Sequence, residues 1–188
     1  LGKEMNLEAV RGHMYGKNHE LLVRVFGKDR FSLEEMDEIS HKKEIRYQER
    51  FKPHLKLLPG LQEFLEAAHQ NDIQMAIGSA AIPFNIDFVL DNLGIRHYFK
   101  AIVSADDVEE SKPHPETYLK AAEILKVRPS DCIVFEDAPK GVEAALNADM
   151  RAVAITNMHN KEEFAQYSNV LFFADDYNSP DMKALVND

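Results

Sequence analysis

The sequence predicts an α/β fold: a parallel sheet covered by helices on both faces, preceded by an all-helical segment. Three observations carry this. From Leu61 onward, short apolar runs alternate with stretches of helical periodicity, as strands buried on both faces and their crossover helices do. Before about residue 52 the periodicity is helical throughout. Between the two parts, Lys52–Gly60 (KPHLKLLPG) holds two prolines and a glycine and predicts a hinge.

In the helical part, Asn18–Phe26 forms a short helix ended by Gly27. Ser32-Leu33-Glu34-Glu35 is a capping box, and Leu33, Met36, Ile39, Tyr47 and Phe51 follow near helical spacing, so a second helix runs to about Phe51. Beyond the hinge, the predicted order starts with helix Leu61–Gln70, strand Ile73–Gly78, helix Asn85–Leu93 and strand Ala101–Ser104. Helix Glu116–Leu125, strand Cys132–Glu136, helix Gly141–Ala148 and strand Arg151–Ile155 follow. A last helix near Lys161–Tyr167 precedes strand Val170–Ala174.

Composition bounds the function. The chain has 188 residues, 45% hydrophobic and 29% charged, which is enough apolar material for a core and excludes a disordered chain. No run approaches the roughly 18 apolar residues of a spanning helix, and LGKEMN does not open a signal peptide. Cys132 is the single cysteine, which excludes an internal disulfide and suits a reducing cytoplasm. The net charge of −10 opposes a nucleic-acid partner. Charge is uneven: residues 1–60 carry 12 Lys/Arg against 10 Asp/Glu, residues 61–188 carry 10 against 22. The chain opens on Leu1 rather than Met, and its first residues suggest the middle of something longer.

Right-handed crossovers place the C-terminal ends of parallel strands along one edge, where ligands bind in such folds. Three features fall there. Gly78-Ser79-Ala80-Ala81 offers a hydroxyl and backbone N–H groups to an anion; a plain N-cap serine gives the same pattern. In Ser111-Lys112-Pro113-His114-Pro115 two prolines restrict the backbone around Lys112, and a fixed ammonium suits a phosphate; a solvated lysine is the alternative, and His114 reads as surface. Ile133-Val134-Phe135-Glu136-Asp137 ends an apolar strand in two carboxylates, a pairing that a hard divalent cation compensates through oxygen ligands; Asp137 as a helix cap is the alternative. Together they would bind and neutralise a phosphoryl group. A nucleophile is missing, since no Asp-x-Asp occurs in residues 1–188.

These motifs resemble the haloacid dehalogenase superfamily, in the helical-cap group that includes β-phosphoglucomutase and sugar phosphatases. Ile77-Gly78-Ser79-Ala80 resembles the family's second motif, Lys112-Pro113-x-Pro115 its third, and Phe135-Glu136-Asp137-Ala138-Pro139-x-Gly141 its fourth. The resemblance implies a Rossmann-like three-layer α/β/α core over residues 56–188 and a small all-helical cap over 1–55. The first motif, which carries the phosphoryl-accepting aspartate and the acid/base aspartate, has no counterpart in this sequence. By resemblance Glu136 and Asp137 hold Mg²⁺, Asp137 ahead of Glu136 as a direct ligand. Ser79 and the Ala80 amide cradle the phosphoryl group and Lys112 neutralises it.

The segment Met14–Glu20, with Gly16, Lys17 and His19, resembles the substrate-specificity loop. Lys43 matches a cap lysine that reaches toward substrate, although a snorkelling lysine on the Ile39–Tyr47 stripe has the same pattern. His19 stands where β-phosphoglucomutase has a phosphate-binding arginine, and Pro83 where it has an asparagine. Losing the arginine favours a phosphatase over a mutase that must grip two phosphates. Asp149 stands where the family often has glycine, a position Asp tolerates. The resemblance therefore implies a cytoplasmic Mg²⁺-dependent phosphohydrolase acting on a small phosphorylated metabolite of the sugar phosphate class, as a monomer or weak homo-oligomer. A mutase, an inorganic pyrophosphatase and a degenerate phosphate-binding module are the alternatives.

Overall fold

The computed structural model describes residues 6, 13 and 17–187. The chain divides into two compact units, Leu1–His54 and Leu55–Asp188.

The first unit contains the helices α1 (Asn18–Phe26) and α2 (Leu33–Phe51). Gly27 ends α1 at φ 98°, with its N–H on the Val23 carbonyl; such a backbone is open to glycine and strained for most other residues. Ser32 caps α2 as its sequence demands: its hydroxyl accepts from the Glu35 N–H and the Glu35 carboxylate accepts from the Ser32 N–H. Leu22 and Met36 are buried. Tyr47 and Phe51 stack on one another, 5.3 Å between centroids, and keep over a third of their surface open, so the apolar stripe of α2 is only partly covered.

The second unit runs α3 (Leu61–Gln70), β1 (Met75–Gly78), α4 (Pro83–Leu93), β2 (Phe99–Val103), α5 (Glu116–Leu125), β3 (Ile133–Glu136), α6 (Pro139–Asn147), β4 (Arg151–Ile155), β5 (Val170–Ala174) and α7 (Pro180–Asn187). All strand pairings are parallel, in two sheets: β1–β2, and β3–β4–β5. The α/β class with parallel strands therefore holds, and the sheet is in two pieces.

Alternating side chains build a layer on each face. Ile133 and Phe135, with Val153 and Ile155, pack against Phe64 of α3 and Met182 and Leu185 of α7. Val134, Ala152 and Ala154 face the other way, onto Tyr118 and Ala122 of α5 and Val142, Ala144 and Ala145 of α6. The β1–β2 sheet has Leu61 and Leu65 of α3 with Ile86 and Leu90 of α4 on one face, and Ala121 of α5 on the other. Helices α3 and α5 thus touch both sheets from opposite faces and make one three-layer core of them.

The boundaries that differ from sequence have local causes. Strand β1 starts at Met75 because Ile73 belongs to the end of α3: its N–H returns to the Ala68 carbonyl and Asp72 takes a left-handed φ of 56°. Helices α4 and α6 begin two residues earlier than expected, each with proline in its first turn. The helix expected near Lys161–Tyr167 is a 3₁₀ turn, Lys161–Phe164. It cannot extend, because Asn169 is tied to the Val142 and Met150 carbonyls and leads straight into β5. Helix α7 has no sequence expectation behind it. Asp149 takes the left-handed conformation, φ 59°. No helix among the described residues is long and apolar enough to cross a membrane.

Candidate active site

Both sheets end their strands in polar residues. At the end of β1 the Ser79 N–H donates to the Val103 carbonyl, and the Ser79 hydroxyl accepts from the Ala81 N–H at 3.0 Å. The Gly78–Ala81 turn is thereby closed on itself, with Ala80 exposed at its tip. A side chain at Gly78 would press on Tyr118 and Thr117, which explains the glycine.

Lys112 is delivered by the loop between β2 and α5. That loop is fastened at several points. The Ser104 hydroxyl and N–H donate to Asp107, Glu116 accepts from the N–H groups of Glu109 and Glu110, and Asn147 of α6 donates to the Pro113 carbonyl. The Lys112–Pro113 peptide is cis. The ammonium donates to the Gly78 carbonyl at 3.1 Å and forms an ion pair with Glu136. It also lies 4.5 Å from the centroid of the Tyr118 ring, a cation–π distance. One lysine therefore joins the end of β1 to the end of β3, across the two sheets.

The Glu136 carboxylate, which the resemblance assigns to the metal together with Asp137, has three partners within the chain. One oxygen accepts from Lys112 and from the Tyr118 hydroxyl, the latter at 2.5 Å, and the other accepts from the Ala138 N–H at 3.3 Å. Its side chain is only 12% exposed, as is that of Lys112. The carboxylate lies directly over Gly141, where an added Cβ would fall on top of it. This is the physical content of the Glu-Asp-Ala-Pro-x-Gly spacing: the glycine of α6 leaves room for the strand-end glutamate. Burial first, and then the Glu136 charge, push the Tyr118 hydroxyl well above its ordinary value, so Tyr118 stays a proton donor to Glu136. Sequence reasoning missed Tyr118, whose only signal is a polar tip on the inward stripe of an otherwise apolar helix.

Asp137, the next residue, is open to solvent. Desolvation by the surrounding chain and the adjacent Glu136 charge raise its carboxyl, with His159 and Lys112 pulling the other way. Tyr177, packed between Phe64 and Phe135, is pushed up to about 12 by burial and by the Asp137 charge. A carboxylate under these pressures is a fit for a hard divalent cation, which would relieve both. The described residues hold no group of three or more His, Cys, Asp or Glu that could hold a metal by itself. At the same strand edge, Thr156 after β4 donates to Asp175 after β5 at 2.5 Å, a pair not foreseen as part of the site.

In the helical unit, His19 Nε2 pairs with Asp37 at 2.7 Å, joining α1 to α2. The Lys17 N–H donates to Glu20. Lys43 pairs at 2.6 Å with Glu44, a buried carboxylate that also accepts from Asn18 at 2.8 Å. Gly16 lies outside the described residues. Ser79, Ala80, Lys112, Glu136 and Asp137 come together at the strand ends; Lys17, His19 and Lys43 each have their local partners within the first unit.

Comparison with known proteins bears on this arrangement. An uncharacterised protein of Haemophilus influenzae is 48% identical over 114 residues, 61% of this chain and 56% of that protein. The fructose-1-phosphate phosphatase of Escherichia coli is 44% identical over 81 residues, 43% of each chain. The crystal structure of β-phosphoglucomutase from Clostridium difficile superposes with a TM-score of 0.82 at 26% identity, over 98% of this chain and 82% of that one. The chain spans about half the length of these curated relatives. The sequence profile of haloacid dehalogenase-like hydrolases matches residues 3–155, a span that takes in the Ser79 turn, the Lys112 loop and the Glu136–Gly141 motif in their order along the fold. The chain belongs to the haloacid dehalogenase-like hydrolase family.

Proposed function

We propose that this chain acts in a Mg²⁺-dependent phosphohydrolase for a small phosphorylated metabolite, a sugar phosphate by class. The observation that carries the reading is the Lys112 ammonium, seated by Glu136 and the Gly78 carbonyl beside the Ser79 turn and next to an exposed, electrostatically strained Asp137. The similarity to a fructose-1-phosphate phosphatase supports the substrate class. The single cysteine and the acidic balance favour a cytoplasmic protein without a nucleic-acid partner.

In this reading the Ser79 hydroxyl, whose oxygen already accepts from Ala81, donates its proton to a phosphoryl oxygen, and the Ala80 N–H donates to another. Lys112 offsets the negative charge that spreads over those oxygens during transfer. Glu136 and Tyr118 hold that ammonium at one position, so no reorganisation is needed when the charge develops. Asp137 would hold the cation, which when bound supplies Lewis-acid stabilisation of phosphoryl charge. Asp-x-Asp is absent from residues 1–188, so the roles assigned here are binding and charge compensation. Lys43, with Lys17, Gly16 and His19, is proposed to contact the rest of the substrate.

The test is phosphate release by the full-length protein from fructose 1-phosphate, glucose phosphates and pyrophosphate, with Mg²⁺ and with EDTA. The expected result is release from a sugar phosphate that needs Mg²⁺ and falls at least a hundredfold in Asp137→Asn. Release that is indifferent to EDTA, or none from any compound, overturns the reading. The structural likeness to β-phosphoglucomutase makes isomerisation of β-glucose 1-phosphate the second assay.

A further inference from the structure

The loop after β4, residues 156–160, leaves the same strand edge as Asp137: β3 and β4 run parallel with Glu136 opposite Ala154, two residues before the loop begins. It carries His159. Two contacts fix that ring. Nδ1 lies 2.9 Å from a Glu163 carboxylate oxygen, and the ring meets the fully buried Phe164 edge-on at 6.2 Å. Glu163 is itself held, because its other oxygen accepts from the Asn160 N–H at 2.9 Å. The His159 bond and that backbone bond keep its carboxyl below the usual range, so it is an ionised acceptor. Nδ1 must then carry the proton that Glu163 receives. In the neutral ring this tautomer leaves Nε2 with a free lone pair, and Nε2 has no partner among the described residues. A histidine aimed by a carboxylate, at the edge where phosphoryl groups bind, is built to accept a hydrogen bond from something the chain itself does not provide.

Resting on the phosphohydrolase reading, we infer that His159 is a substrate-specificity residue whose Nε2 accepts a hydrogen bond from a hydroxyl of the leaving group, which selects polyhydroxylated phosphate esters over hydroxyl-free ones. Glu163 is its positioning residue. Nothing in the motifs that define the family site calls on this loop, and Ser79, Lys112 and Asp137 cannot supply this discrimination because all three address the phosphoryl group common to every substrate.

The experiment compares kcat/KM for fructose 1-phosphate with kcat/KM for p-nitrophenyl phosphate, which has no hydroxyl on its leaving group. In His159→Ala the ratio of the two should fall about tenfold, as for loss of one neutral hydrogen bond, mainly through KM for the sugar phosphate. His159→Gln, which keeps an acceptor, should recover part of it, and Glu163→Ala should lose about threefold. An unchanged ratio, or equal losses on both substrates, overturns the inference. Binding gives an independent readout: in EDTA, the ¹⁵N resonance of His159 Nε2 should move on adding fructose 1-phosphate and stay put with inorganic phosphate. A shift with both ligands, or with neither, overturns it as well. Should the protein hydrolyse nothing yet show the sugar-specific shift, the phosphohydrolase reading fails and the assignment of His159 stands.

Discussion

At the scale of single residues the site turns on one carboxylate. Glu136 is nearly buried, and such a group persists as a charge only when paired and hydrogen-bonded; Lys112, Tyr118 and the Ala138 N–H provide this. Gly141 makes the arrangement possible by leaving the space a side chain would fill. Gly141→Ala should therefore destabilise by roughly 1–3 kcal/mol, the usual range for overpacking, although alanine is the better helix former. In a Glu136→Ala background the same substitution should be close to neutral. Thermal melts of the four proteins in that cycle check it, and additive effects would refute the steric account. This is also where sequence reading reached its limit. The adjacency of Glu136 and Asp137 points to a pair of metal ligands, and it does not show that successive residues at a strand end point in different directions. One turns into the core toward Lys112 and the other stays at the surface, and no count of carboxylates distinguishes them. Tyr118 was invisible for a related reason: a tyrosine on an inward stripe is indistinguishable from core until its hydroxyl finds a partner.

At the scale of elements, the loop that delivers Lys112 is fastened by carboxylates. Asp107 is held below its usual range by the Ser104 hydroxyl and N–H, and Glu116 by the Glu110 and Glu109 N–H groups, with Lys120 beside both and His114 within 3.9 Å of Glu116. A depressed folded-state pKa means that the stabilisation is complete above the unfolded value, about 4, and is lost as pH falls through the folded value. The amides of Glu109 and Glu110 should thus be protected from hydrogen exchange at pH 6 and lose protection below about pH 4, ahead of the strand amides. Simultaneous loss across the chain would show that the loop has no local opening of its own. Elements with strong periodicity and clear caps were legible in advance. Helix α2, with its Ser32–Glu35 box, and α5, strand β4 and strand β5 fall where the residues placed them. The starts of α4 and α6 were misplaced because a proline opens each, and that of β1 because a turn takes Ile73; the strand expected over Ala101–Ser104 spans Phe99–Val103. Helix α7 was missed because eight residues after Pro180 hold too little periodicity to separate from a turn.

At the scale of the whole second unit, the two sheets share no strand pairing among the described residues, and α3 and α5 pack against both. Phe64 of α3 packs into the β3–β4–β5 side, meeting Phe135 and Tyr177 edge-on at 5.3 and 5.1 Å. On the same helix, Leu61 and Leu65 pack onto the β1–β2 side. Tyr118 and Ala122 of α5 do the same work from the opposite face while Ala121 addresses the other sheet. The Lys112 ammonium then bridges the strand ends that these helices hold in place. Phe64→Ala removes a large ring from a packed cluster, a change of about 3–4 kcal/mol, and its ring partners Phe135 and Tyr177 lie on the β3–β4–β5 side. If the helices make a single cooperative core, amides of β1 and β2 should lose exchange protection along with those of β3, β4 and β5, because opening either sheet frees α3 from both. Protection lost in β3–β5 alone would mean that each sheet keeps its own stability. Lys112 would then join two independently moving parts, and its fixed position, on which the charge-compensation role depends, would need another origin.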